Sequence, residues 1–397
     1  MLKKILDNKI IVLYVIPFCL GSMTVFSFKP FNLSIINFII LPIFFLIIVF
    51  VKRKSESVYR KKKPYRTNLF LLGFIFGFGF YLSGIFWISH SLTFDDSFKF
   101  LIPFAIILIP LFLGFFTGLT TLVVGQFLNF NFSSILLFSS SLAFSDYIRG
   151  KIFSGFPWNL WGYSWSWFVE ILQSLNLIGL YAFNLLTIMI FSIPAVIFFK
   201  ISMSKKILII GSTFTFIFLI YIYGSTSINK NKELLKYLDN DKKVYTKVIS
   251  PNFELKYNSS ILEIENKLKK LIRYSDPDPE IKTLFIWPEG VFTGYSLTEV
   301  YQFKNLIKNK FTKNHTILFG INTIDTSEEY FNSLVVIDND FKILHQYNKK
   351  KLVPFGEFLP FETFLNKFGL KKITQGFGSF LKGKKQNNIK INNLNIL

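Results

Sequence analysis

The sequence predicts a polytopic α-helical membrane bundle followed by an α/β layered domain. Three observations carry this. Apolar residues make up 51% of the 397 residues, Phe alone occurs 51 times, and charged residues reach 17%, against ~25% in an ordinary soluble domain. Long apolar runs crowd the part of the chain before residue 228. After it, short β-like runs alternate with polar helical stretches, the pattern of a layered α/β fold. The same composition excludes a wholly soluble chain, a disordered one and a coiled coil. A single Cys excludes a disulfide framework and any Cys-based metal cluster, and three scattered His offer little to a metal centre. No cofactor is expected. The formal charge of +21 is read as membrane topology and anionic lipid rather than nucleic acid.

The apolar runs lie at roughly 10–28, 33–51, 68–89, 100–124, 131–148, 170–199 and 207–224. Each is about long enough to cross ~30 Å of hydrocarbon as a helix, which gives about seven crossings. The fifth is diluted by Ser139, Ser140, Ser141 and Asp146. Only six of the 24 acidic residues precede residue 228. With the N-terminus inside, the inner segments carry fourteen Lys and Arg, and the outer loops hold four, Lys29, Lys99, Arg149 and Lys151. That excess places the N-terminus in the cytoplasm and residues 229–397 on the outer, periplasmic face. The first apolar run follows Met1-Leu2-Lys3-Lys4, but it is longer than a signal-peptide core and lacks a small-x-small cleavage site, so it reads as an uncleaved helix.

The domain division expected is 1–228 for the bundle and 229–397 for the soluble part, which holds 27 basic and 18 acidic residues. Residues 244–250 read as a strand and 261–272, apolar at helical spacing, as an amphipathic helix. Residues 283–289 read as a buried strand ending in a carboxylate, followed by a helix around 298–311 and a strand at 315–321. Residues 331–338 and 341–347 read as a hairpin turning at Asn339-Asp340, and 388–397 as a second one turning at Asn392-Asn393.

Three segments carry candidate chemistry. Glu289 ends an apolar strand, where α/β folds place functional groups, and Pro288 stops the ladder before it. Next to Trp287 it suits a general base; a solvated strand-end glutamate fits as well. Lys349, Lys350 and Lys351 lead directly into the apolar Leu352-Val353-Pro354-Phe355-Gly356, with Glu357 eight residues past Lys349. A lysine drawn into such a turn could stabilise an oxyanion; a basic surface loop is the alternative. Residues 155–165 (GFPWNLWGYSW) combine Gly, Pro and aromatics in an outer loop. They read either as interfacial anchors or as walls of a lipid pocket.

Taken in order, these motifs resemble the apolipoprotein N-acyltransferase family. FSFKPFN (26–32), GFIFGFGFYLSGIFWI (73–88), IRGKIFSGFPWNLWGYSW (148–165), WPEG (287–290), YFNS (330–333), YNKKKLVPFGEFLPF (347–361) and TQGFGSFLKG (374–383) follow the family's sequence of motifs. The resemblance implies a nitrilase-like αββα sandwich on a membrane bundle in the bacterial inner (cytoplasmic) membrane, working with a Glu–Lys–Cys triad and no metal. It implies Glu289 as general base, Lys349 as oxyanion stabiliser and Glu357 as a second functional carboxylate. Asn332, Trp158, Tyr163 and Tyr257 fall at substrate-side positions. It also implies a thioester route. A thiolate takes an acyl chain from a phospholipid, phosphatidylethanolamine-like, and the α-amine of a diacylglyceryl-cysteine apolipoprotein then receives it.

Two departures stand out. The family's nucleophilic Cys follows a strand resembling 391–397 and is absent here, because the one thiol, Cys19, sits in the first apolar run. On this ground the sequence reads as a C-terminally incomplete acyltransferase, expected to be inactive alone. A non-catalytic lipid- or lipoprotein-binding membrane protein and one half of a split enzyme are the alternatives. Ser250 and Tyr257 also stand where the family commonly has Gln and Trp.

Overall fold

The computed structural model describes residues 7–59, 64–93, 96–152, 155–237, 245–254, 259–365, 367, 379–384, 389–391 and 394–396. The chain divides into two compact units, Met1–Thr93 with Lys99–Tyr237, and Phe94–Phe98 with Leu238–Leu397.

The first unit is helical. Its long elements are α1 (Ile11–Ser27), α2 (Asn37–Tyr59), α3 (Pro64–Ile85), α4 (Ile102–Val124), α5 (Phe132–Arg149), α6 (Leu175–Ser192) and α7 (Met203–Lys236). Among the described residues five stretches are long and apolar enough to cross a membrane: Ser34–Lys54, Arg66–Thr93, Phe98–Phe127, Leu175–Phe198 and Met203–Lys236. The other two expected crossings are helical but weaker candidates: α1 is shorter, and α5 carries the serines together with Asp146 and Arg149. The sixth run is broken, since Gly179 inside α6 has φ +73, a conformation that only Gly adopts without strain. The seventh runs on through Lys236, and its 34 residues make ~51 Å of helix.

Small residues bring α3 and α4 together. A side-chain carbon on Gly77 would lie 2.9 Å from the Gly114 Cα, and one on Gly114 would lie 2.9 Å from the Phe78 nitrogen. Close backbone approach of this kind drives helix association where burial from water cannot. Thr121 Oγ1 donates to the Leu69 carbonyl at 2.8 Å across the same seam. Aromatics fill the core: Phe44 stacks on Phe76 at 3.9 Å, and Phe80 on Trp161 at 5.1 Å.

The second unit is built on one mixed sheet. Its strands are β1 (Tyr245–Val248), β2 (Thr283–Ile286), β3 (His315–Ile324), β4 (Tyr330–Ile337) and β5 (Ile343–Asn348), in that spatial order. β1, β2 and β3 run parallel, and β4 and β5 continue antiparallel. Helix α8 (Ile261–Ser275) opens with a Ser260–Glu263 capping box, which satisfies otherwise orphaned amides. Its apolar stripe, Ile264, Leu268, Leu271 and Ile272, packs with Phe285, Phe319, Val335 and Ile337 on one sheet face. The other face carries Leu284, Leu318 and Val336. The expected C-terminal hairpin is present as β6 (Ile389–Ile391) paired antiparallel with β7 (Leu394–Ile396). The expected helix around 298–311 is broken into short pieces, Leu297–Val300, Tyr301–Phe303 and Lys304–Lys308.

Candidate active site on the sheet

Period-two alternation decides which residues meet. Along β4, Ser333, Val335 and Ile337 point to the α8 side, so Asn332 points to the opposite face. Along β3, Phe319 and Ile321 pack on the α8 side, so Gly320 lies on the opposite face. Beyond β2 the chain turns: Gly290 has φ +74, and Glu289 lies over Gly320. A side-chain carbon added to Gly320 would come within 3.0 Å of Glu289 Cγ and 3.3 Å of its Cα. The space that Glu289 occupies therefore exists because residue 320 has no side chain.

Lys349 follows β5 directly. Its amide donates to the Asn332 carbonyl at 2.8 Å, extending the β4–β5 ladder and setting the two side chains beside each other. Glu357 is delivered by a tight loop. Its amide donates to the Val353 carbonyl at 2.8 Å, and its Oε2 accepts from the Val353 amide at 2.7 Å. Phe355 inside this loop has φ +64, uncommon for a residue with a bulky side chain. Such backbone is held only where its surroundings insist on it. Phe380 N donates to the Glu357 carbonyl at 2.9 Å, and Gly383 N to the Lys349 carbonyl at 2.9 Å, so residues 380–383 brace both.

The result is one connected cluster. Glu357 Oε1 accepts from Lys349 Nζ at 2.8 Å and from Asn332 Nδ2 at 2.6 Å. Asn332 Nδ2 also reaches Glu289 Oε1 at 3.3 Å. One amide thus bridges two carboxylates, using both its hydrogens. The carboxylates differ sharply. Glu357 is 12% exposed and holds three donors, whereas Glu289 is exposed and, among the described residues, accepts only the long bond from Asn332. Lys349 remains 35% exposed, its ammonium at the edge of the cluster. Trp287, expected to wall Glu289, turns the other way. It is buried on the α8 side, and its Nε1 donates to Ser275 Oγ at 2.9 Å.

Of the sequence-derived candidates, Glu289, Asn332, Lys349 and Glu357 meet here. Trp158 and Tyr163 belong to the helical unit, and Tyr257 lies outside the described residues. A second polar cluster, not anticipated, lies in that helical unit. Arg149 at the end of α5 is 2% exposed. Its Nη2 donates to Asp146 Oδ1 at 2.9 Å, and its Nη1 to the Phe156 and Trp158 carbonyls at 2.6 and 2.8 Å. Asn184 Nδ2 donates to Asp146 Oδ2 at 2.9 Å, and Asn184 Oδ1 accepts from the Gly162 amide at 3.0 Å. Arg149 reads from sequence as an outer-loop cation. The Asp146–Arg149 spacing of three on one helix was the signal available. Trp158 itself is half exposed, edge-on to Trp87 at 5.3 Å. Among the described residues no group of three or more His, Cys, Asp or Glu is arranged to hold a metal ion.

Known proteins match this chain along most of its length. Residues 20–193 match the family model of the apolipoprotein N-acyltransferase N-terminal domain. The chain is 28% identical over 396 residues to the apolipoprotein N-acyltransferase of Rhodopseudomonas palustris, covering 96% of this chain and 71% of that one. It is 26% identical to the protein of the same name from Brucella melitensis, covering 92% of this chain and 69% of that one. The Bradyrhizobium diazoefficiens protein of that name is also 26% identical, over 91% of this chain and 68% of its own length. The chain, a helical unit followed by a mixed-sheet unit, is similar over nearly its whole length to proteins named apolipoprotein N-acyltransferase, and its residues 20–193 match the N-terminal domain of that family.

Proposed function

We propose that the chain works in lipoprotein N-acylation, with Glu289, Lys349, Glu357 and Asn332 serving a thiolate at the sheet's site face. The supporting observation is the inequality of the two carboxylates. Glu357, saturated by Lys349, Asn332 and the Val353 amide, is suited to hold its neighbours and ill suited to exchange protons. Glu289, exposed with one long hydrogen bond, is free to accept one. Lys349, fixed by Glu357, presents an ammonium where charge would develop.

In this reading Glu289 takes the thiol proton, and the thiolate attacks a phospholipid ester carbonyl. Lys349 stabilises the tetrahedral oxyanion. The lysophospholipid leaves with the proton returned by Glu289, and an acyl thioester remains. The α-amine of a diacylglyceryl-cysteine lipoprotein then attacks the thioester, gives its proton to Glu289, and the thiol is restored as the thiolate leaves and is reprotonated. The sheet unit's part is activation and oxyanion support; the chain's one thiol, Cys19, belongs to the helical unit and is not proposed as the nucleophile, so the thiolate is one that this sequence does not contain. A nitrilase-like architecture suits the strand-end carboxylate. Trp158 and Tyr163, on the loop tied to Arg149, are suited to the lipid side, with phosphatidylethanolamine as donor. The Lys and Arg excess supports a cytoplasmic N-terminus and a periplasmic sheet unit in the inner membrane, which is where the lipoprotein acceptor is presented.

The test uses protein produced from its own locus, in vesicles with acyl-labelled phosphatidylethanolamine and a diacylglyceryl-cysteine lipopeptide. N-acylated peptide is expected, and Glu289→Gln should give no acyl-enzyme while still inserting. Normal acyl-enzyme in that variant removes the base assignment. No N-acylation by the unaltered protein removes the whole reading.

A further inference from the structure

A groove of about 730 Å³ runs between α4 and α5 on the helical unit. Its shape follows from residue size. Thr120, Ser140, Ser141 and Ser145 line it as small residues, and Phe112, Phe115 and Phe144 rise beside them. Three of the four hydroxyls are turned onto backbone carbonyls, and Ser140 leaves one open to the groove. Thr120 Oγ1 donates to the Phe116 carbonyl at 2.9 Å and Ser141 Oγ to the Leu137 carbonyl at 2.7 Å. Ser145 Oγ reaches across to the Phe116 carbonyl at 3.3 Å and ties the two helices together beneath the groove. Along α4 the lining extends from Phe112 to Val124, about 18 Å of helix, close to the ~15 Å half-thickness of a bilayer's hydrocarbon core.

Inside a membrane, apolar character selects nothing, because lipid tails are as apolar as Leu. A recess selects by shape, through the dispersion contacts that a flat helix surface cannot offer, and a polar anchor at its end fixes which molecule lies in it. Such an anchor is present. Ile152 lines one end of the groove, and its neighbour Lys151 is exposed with Nζ 5.6 Å from the Tyr147 ring centroid and 5.8 Å from that of Tyr181. Two aromatic faces thus hold an ammonium beside the open end, the charge that a lipid phosphate attracts.

We propose that the α4–α5 groove is a binding site for a single glycerophospholipid, one acyl chain lying over Ser140 and Ser141 and the phosphate meeting Lys151. The site is separate from the carboxylate cluster on the sheet, and its existence does not depend on the transfer reaction.

The test is photolabelling of the full chain in phosphatidylethanolamine–phosphatidylglycerol vesicles, using a phospholipid with a diazirine on its acyl chain. Peptides containing 112–124 and 140–152 should be labelled about tenfold more, for their exposed area, than α7, a preference equal to one decade of affinity. Ser140→Trp, at an exposed position, should abolish that excess, with α7 labelling as the internal check of insertion; Ser140→Leu, a smaller filler, should reduce it. Lys151→Gln should lower the excess severalfold, whereas a diazirine diacylglycerol without phosphate should show none. Labelling proportional to exposure over all helices, or an excess surviving Ser140→Trp, overturns the groove. Equal labelling by the diacylglycerol overturns the phosphate anchor.

Discussion

Each unit holds, among the described residues, a connected cluster of charged side chains around a carboxylate, and the two are built to opposite ends. In the helical unit Arg149 and Asp146 are buried. Arg149 spends its Nη1 and Nη2 donors on two loop carbonyls and Asp146, its Nε alone being without a partner among the described residues, and Asn184 completes the carboxylate. In the sheet unit only Glu357 is comparably enclosed; Lys349 is 35% exposed and Glu289 is exposed. A closed cluster holds shape, since an ion removed from water must be matched on every side. An open cluster keeps a group free to react. Arg149 therefore fastens the 155–165 loop through two of its carbonyls, and Glu289 has the openness that the proposed role of a reactive carboxylate requires. The contrast lies in the number of donors each group meets.

Single substitutions should separate these roles. The largest effect expected is on rate: Glu289→Gln should lower N-acylation by about 10²–10⁴, the usual worth of a general base, and leave the thermal unfolding midpoint in detergent unchanged. Arg149→Met should do the reverse. It leaves the buried Asp146 charge with only the neutral Asn184 donor, a loss of about 3–5 kcal/mol for a broken buried pair, seen as a lowered midpoint before any change in intrinsic rate. A Glu289→Gln protein that unfolds early, or an Arg149→Met protein of normal midpoint, would erase the distinction. Glu357→Gln sits between them. It frees Lys349 and loosens Asn332, so a loss of about 10² in rate is expected, the cost of a displacement near 1 Å, with a small change in midpoint. A rate as low as that of Glu289→Gln would move Glu357 from positioning into proton transfer.

Most of the fold was legible because its periodicities are local. All five strands of the mixed sheet fall on runs that read as strands, and the α8 stripe is a plain helical repeat. The carboxylates and Lys349 were legible through their motifs. What escaped depends on contacts between distant residues. Arg149 carries a charge that counts as a loop residue until Asn184, thirty-five positions on, closes the network around Asp146. Trp287 precedes Glu289 by two positions, yet β2 ends at Ile286, so strand alternation no longer holds there and the two side chains reach opposite faces. The broken sixth run is a single backbone angle at Gly179, which hydropathy cannot register.

Gly320 is the smallest test and the one that sequence would not suggest, for it sits mid-strand in β3 as a seemingly neutral choice. Gly costs a strand roughly 0.5–1 kcal/mol relative to Ala, so Gly320→Ala alone should not weaken the sheet. Its new methyl would press on Glu289 Cγ at 3.0 Å, and the carboxylate must move by a few tenths of an ångström. About a tenfold loss of N-acylation is expected, below the ~10² that a full ångström costs, with an unchanged or slightly raised unfolding midpoint. Asn332 bonds Glu289 at 3.3 Å, so the shift would shorten or break that bond depending on its direction. A Gly320→Ala protein with full rate would mean that Glu289 tolerates displacement, and then its openness, rather than its position, is what the site preserves.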